Sequence, residues 1–137
     1  MKKISMLMAA LLAFAFVATA ATAAKPETIE VDSEITLKFK EGGDGDEYYE
    51  QGEDDLFSGK VSAKKKCQED RKVKVFAKKG GRVGKDKTNE QGRYSISVKN
   101  AGPGKYFAEV KKRTYKNKKG TKKIVCQAAS SDKVTVG

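Results

Sequence analysis

Few residues in this chain have side chains that could do chemistry. The segment "EGGDGDEYYEQGEDD", Glu41 to Asp55, gathers Asp44, Asp46, Glu47, Glu53, Asp54 and Asp55. Carboxylates are hard oxygen ligands, and a cluster of them suits Ca²⁺. The alternating Asp-x-Asp-x-Asp-Gly pattern is broken, however, because Tyr48 stands where the third ligand belongs. A solvated acidic loop is the plainer reading. Ser130 and Ser131 have no base near them in sequence and read as turn residues. The chain has no His at all. That removes the commonest general base, the Ser-His and Cys-His pairs, and the usual zinc ligands. The residues therefore point to a protein that is not an enzyme, needs no cofactor, and has a hydrolase only as a remote alternative.

Cys67 and Cys126 are the only thiols, and their state depends on compartment. Met1 to Ala24 begins with Lys2 and Lys3, continues with "ISMLMAALLAFAFVATA", and ends in the small residues "ATAA". That three-part pattern is a secretory signal peptide. Cleavage after Ala23 or Ala24 would leave 114 or 113 residues. No Cys follows the apolar run to accept a lipid, and no later segment is apolar enough to span a bilayer. The chain is thus expected to be secreted, or periplasmic if the envelope has two membranes. Thiols oxidise there, so a disulfide is the default state of the two cysteines. In the chain-entropy model, closing a loop of 59 residues stabilises the fold by roughly 4 kcal/mol.

Charge is the other strong feature. Lys25 to Asp55 carries 12 acidic and 3 basic residues, net −9, whereas Leu56 to Gly137 carries 24 basic and 6 acidic, net +18. The basic residues are mostly Lys, with Arg only at 71, 82, 93 and 113 in that part. Lys is a hydrated point charge, while forked recognition of phosphate or bases favours Arg. Aromatic and basic residues do not interleave as single-stranded nucleic-acid binders require. The surface therefore suits diffuse attraction to polyanions rather than specific nucleic-acid binding. Lys64, Lys65, Lys66, Lys111, Lys112, Arg113, Lys118, Lys119, Lys122 and Lys123 are the candidate contacts. An anionic envelope polymer, such as teichoic acid or acidic polysaccharide, is the candidate partner.

The elements that must carry these residues alternate at period two, which predicts an all-β domain. "TIEVDSEITLKF" puts Ile29, Val31, Ile35, Leu37 and Phe39 on one side of one strand or two joined strands. "LFSGKVSA" places Phe57, Gly59 and Val61 inward, and "RKVKVFA" does the same with Val73, Val75 and Ala77. Gly80-Gly81 reads as a hairpin turn. Tyr94, Ile96 and Val98 form one buried face, and Tyr106, Ala108 and Val110 another. "RTYKNKKGTKK" reads as a long polar hairpin tip before the strand "IVCQA", and "KVTV" closes the domain. Phe76, Phe107 and Val125 fall opposite their strands' inward residues, either as a small exposed apolar patch or covered by the N-terminal strand or a loop. This spacing predicts seven or eight strands, a β-sandwich, with residues 25–55 joining 56–137 in one domain.

Several motifs resemble one family. "FSGKVSA" followed by "RKVKVF", then "TNEQGRYSI", then "GPGKYFAEV" are similar to the successive strands of transthyretin-like, carboxypeptidase-regulatory-like modules with the prealbumin-like fold. The resemblance covers about Phe57 to Val136 and implies an antiparallel sandwich used as a scaffold or adhesion module, without catalysis. Cys67 with "CQAASS" is similar to an exported subgroup of such modules, which implies the Cys67–Cys126 pairing. Some relatives carry a Lys–Asn isopeptide bond, but the last strand here has no Asn. The motif residues have structural roles. Asn89 can bond the turn backbone and Gly92 can hold positive φ. Pro103 and Gly104 turn the chain. Tyr94 and Tyr106 can bury rings while their hydroxyls find partners at the core edge.

Overall fold

In a half-buried strand every second side chain meets the core, so "KVKVF" and "RYSISV" can satisfy their valines and isoleucines only as strands packed on another layer. A computed structural model describes residues 25–43, 54–64 and 66–137. Met1 to Ala24, the candidate ligands Asp44, Asp46, Glu47 and Glu53, and Lys65 lie outside the described residues. The described chain is all β: β1 (Glu27–Val31), β2 (Ser33–Ile35), β3 (Lys38–Lys40), β4 (Asp55–Ala63), β5 (Lys72–Ala77), β6 (Arg82–Lys87), β7 (Arg93–Val98), β8 (Gly104–Val110), β9 (Arg113–Lys116), β10 (Lys122–Cys126), β11 (Ala129–Ser130) and β12 (Val134–Val136). Among the described residues no helix is long and apolar enough to cross a membrane.

Two of the sheets share a plan. In one, β6, β5 and β8 run side by side, and the outer edge of β8 is completed by two short segments, β11 and β12. In the other, β7 pairs β4, whose opposite edge is completed by β2 and β3. The two sheets enclose one core, in which Phe57, Val61, Val73 and Val75 are fully buried with Ile35, Leu37, Tyr94, Ile96, Tyr106, Ala108, Val110 and Val136 around them. The Phe57 ring bridges Phe39 at 5.1 Å and Tyr106 at 4.9 Å, so it joins the layers. Along one side the sheets meet where the Ser95 amide of β7 donates to Asp86 of β6 at 2.9 Å.

A third sheet holds β1, β10 and β9, with β1 parallel to β10 and β9 antiparallel to it. Its own small core is Val31, Ile124 and the Cys67–Cys126 disulfide, flanked by Ile29, Ala63 and Tyr115. This corrects three expectations. Among the described residues there are twelve strands rather than seven or eight. The run from Thr28 to Phe39 forms three short strands, because Ile29 and Val31 serve the disulfide core while Ile35, Leu37 and Phe39 serve the main one. Lys122 and Lys123, expected in a hairpin tip, are in β10 opposite Glu27 and Thr28.

Arg71 joins all three sheets. Its side chain is fully buried, and its guanidinium donates to Ser33 Oγ at 3.0 Å and to three backbone carbonyls. Those are Cys67, Lys111 at 2.9 Å and Gln127 at 2.9 Å. Its backbone amide donates to the Thr88 hydroxyl at 2.8 Å, which donates in turn to Gln68 O at 2.6 Å. Burial, and then the neighbouring Arg113, push Arg71 below its ordinary pKa. Lys at this position could not spread donors to four oxygens in a fixed plane.

The turn before β7 is as expected. Asn89 Oδ1 accepts from the amides of Gln91 at 3.0 Å and Arg93 at 2.9 Å. Gly92 has φ +78°, and a Cβ there would lie 2.2 Å from the Val61 carbonyl oxygen. That carbonyl belongs to β4, so any side chain would push the turn off the sheet.

Two expectations about stability follow. Arg71→Lys should cost about 3 kcal/mol or more, since it strands buried acceptors, while Arg93→Lys on the exposed face should change little. Gly92→Val should cost at least about 1 kcal/mol more than Ser95→Ala. Denaturant titration of the four variants measures both, and equal midpoints within either pair would contradict the structure.

Candidate functional site

The inward valines of β5 decide where its lysines go. With Val73 and Val75 fully buried, Lys72, Lys74 and Phe76 must face outward. The tight turn after Ala77, closed by Gly80 N to Ala77 O at 3.1 Å, then fixes the register of β6. Lys72 lies opposite Lys87, Lys74 opposite Lys85, and after a bulge Phe76 lies opposite Arg82. On the other side β8 sets Lys74 against Glu109 and Phe76 against Phe107. Lys111, just past β8, donates its amide to Lys72 O at 3.2 Å.

Three rows therefore cross the outer face of this sheet. Lys87, Lys72 and Lys111 make the first, Lys85, Lys74 and Glu109 the second, and Arg82, Phe76 and Phe107 the third. Directly opposed side chains lie about 4.5–5.5 Å apart at Cβ, and like charges so placed are destabilising. Compensation is scarce. Lys87 reaches Asp70 at 3.4 Å, and Arg113 reaches the same carboxylate at 4.0 Å. Among the described residues no carboxylate is within ion-pairing distance of Lys72, Lys74, Arg82, Lys85 or Lys111. Asp86 borders the groove, but its two oxygens accept from the amides of Lys87 and Ser95. The groove between these cations has a volume of about 520 Å³. Lys74 is pushed below its ordinary pKa, first by the close approach and charge of the Lys111 amine and then by desolvation, Arg82 and Lys85.

The apolar row differs from the others. Phe76 and Phe107 stack with centroids 5.6 Å apart and planes at 20°, partly buried yet outside both core clusters. Val125, grouped with them in the sequence, is buried in β10 between Glu30 and Thr114. The patch is thus a pair of rings.

The candidate lysines read from sequence do not form one site. Only Lys111 borders this groove. Lys64 and Lys66 flank the disulfide loop, Lys118 and Lys119 occupy the β9–β10 turn, and Lys122 and Lys123 lie in β10. Arg113 is committed to structure: it donates to Glu69 O at 2.8 Å and lies 5.6 Å from the Tyr115 ring centroid. Lys72, Lys74, Lys85 and Lys87 were missed. Their alternation in "KVKV" and "GKDK" is visible, but their convergence depends on the hairpin register and on β8.

Other candidates are structural. The Tyr94 hydroxyl donates to Thr36 O and burial pushes its pKa up; the Tyr106 hydroxyl donates to Gly102 O at 2.6 Å. A Cβ on Gly59 would lie 1.9 Å from Thr36 O and 2.6 Å from the Tyr94 hydroxyl, which explains that glycine. Ser131 accepts from the Ala108 amide at 2.8 Å. Asp55, a candidate Ca²⁺ ligand, accepts from Gly42 N at 2.8 Å and Ala101 N at 2.7 Å, so its carboxylate fastens the base of the acidic segment. Among the described residues no three acidic or thiol groups gather as a metal site. Compared with known proteins, the chain matches no family model, and no curated protein matches it.

The crowding of Lys74 has a measurable sign. The folded protein protonates Lys74 less readily than the unfolded chain, whose lysines titrate near about 10.4. This group therefore penalises the fold at neutral pH, and the penalty fades as pH rises through the folded pKa towards that value. Lys74→Gln should raise Tm at neutral pH and low salt. The gain should shrink as the screening length falls from about 30 Å at 0.01 M to about 8 Å at 0.15 M salt. A Tm difference that ignores both salt and pH would mean the lysines do not repel.

Proposed function

We propose that this chain is an exported, non-enzymatic β-sandwich module of the prealbumin-like kind that binds anionic polymer of the cell envelope. Two sheets enclosing one core, with the Gly59, Gly92, Tyr94 and Tyr106 motif residues in structural roles, support the prealbumin-like reading. The disulfide is compatible with an oxidising extracellular or periplasmic location. A chain without His, whose conspicuous side chains are lysines rather than nucleophile and base pairs, supports binding over catalysis.

One observation carries the reading. The sheet sets cations directly opposite cations, and among the described residues no carboxylate lies within ion-pairing distance of five of them. Such a surface is relieved when an external polyanion replaces its diffuse counterions, and the attraction weakens with salt.

Purified protein mixed with isolated envelopes should sediment with them at low salt and stay in the supernatant at high salt. Retention that ignores salt, or no retention at low salt, would refute the proposal in favour of a structural module whose lysines only maintain solubility.

A further inference from the structure

The third row of the outer face adds something that charge does not explain. Phe76 and Phe107 form a stacked, partly exposed pair on the same face as the lysine rows, a candidate platform with Arg82 beside it. Neither ring contributes to a buried cluster. Aromatic rings have electron-rich faces that attract positively polarised hydrogens and apolar surface. The C–H face of a pyranose ring offers both. The cations on this face are Lys at five positions and Arg at one, mostly point charges that attract spaced anions without a fixed forked geometry.

We infer that the outer face of the β6–β5–β8 sheet binds an acidic polysaccharide, with sugar carboxylates at Lys72, Lys74, Lys85 and Lys111 and a sugar ring on the Phe76–Phe107 platform. This rests on the envelope-polymer reading above and narrows it to one face and one ligand class. The strand spacing of about 4.8 Å and the two-residue repeat of about 6.7 Å set the grid of cations that the polymer's charges must meet. A flexible polyanion without rings could use the charges but would gain nothing from the platform.

The experiment titrates the full exported protein with polygalacturonate, polyglutamate, polyphosphate and neutral dextran of matched length at low and moderate salt. Polygalacturonate should bind about tenfold tighter than polyglutamate, a difference of about 1.4 kcal/mol, and dextran should bind weakly or not at all. Lys74→Gln with Lys85→Gln should weaken polygalacturonate at least about tenfold and lower the salt slope by about 1–2. Lys118→Gln with Lys119→Gln, in the β9–β10 turn, should change it less than about twofold. Phe76→Thr should weaken polygalacturonate while leaving polyglutamate unchanged; Phe107→Thr tests the same point should the first variant melt near the assay temperature.

Each contrary result has a distinct meaning. Equal affinity for polygalacturonate, polyglutamate and polyphosphate, unaltered by either Phe variant, overturns the sugar platform. Loss of binding in the Lys118 and Lys119 variant but not in the Lys74 and Lys85 variant overturns this face while the envelope-polymer reading stands. Binding to none of the polyanions at low salt overturns both.

Discussion

A single buried guanidinium determines how the layers of this protein meet. Arg71 immediately precedes the strand that supplies the fully buried Val73 and Val75, and its own side chain turns inward to bond β2, the disulfide loop, the β8–β9 junction and the residue after β10. Removing a charge from water costs several kcal/mol even after relaxation. Among the described residues no carboxylate pairs with it; carbonyl dipoles and a hydroxyl balance it. The acceptors come from segments distant in sequence, so none is positioned until the others are. This arrangement favours an all-or-none fold over partly docked alternatives.

The disulfide acts at the same place by different physics. Cys67 gives its carbonyl to Arg71 and its sulfur to Cys126, and Gln127, the next residue, gives Arg71 another carbonyl. The covalent link restricts the unfolded chain across 59 positions, an effect of roughly 4 kcal/mol, while the guanidinium fixes the folded geometry. Together they hold the small third sheet, whose buried cluster of Val31, Ile124 and two cysteines is meagre by itself.

Much of this was legible because the governing forces are local. Gly92 and Asn89 answer to one turn, Tyr94 and Tyr106 to strand alternation, and the cysteines to compartment. Arg71 was legible only as the first residue of a strand motif, since nothing in "EDRKV" reveals that its acceptors lie at positions 33, 111 and 127. The parallel pairing of β1 with β10 was hidden for a similar reason, because it joins Glu27–Val31 to Lys122–Cys126 across most of the chain. The lysine face fell between these cases. Its outward alternation was readable, but its charge density arises from β6 and β8 flanking β5, which no single segment encodes.

The remaining question is why a stable fold leaves these cations opposed. The domain does hold carboxylates, but the folded backbone engages the best placed ones. Asp86 caps amides on β6 and β7, and Asp55 fastens Gly42 and Ala101. Asp70 sits in a positive-φ turn, shared between Lys87 and Arg113. Glu109 stands opposite Lys74 in the register yet outside ion-pairing distance. Interior packing places no demand on the outward positions 72, 74 and 85, and of the four lysines of β5 and β6 only Lys87 pairs with a carboxylate among the described residues, that of Asp70. The opposed lysines thus cost the fold something that nothing beneath them repays, and that cost is what the proposed polyanion would relieve.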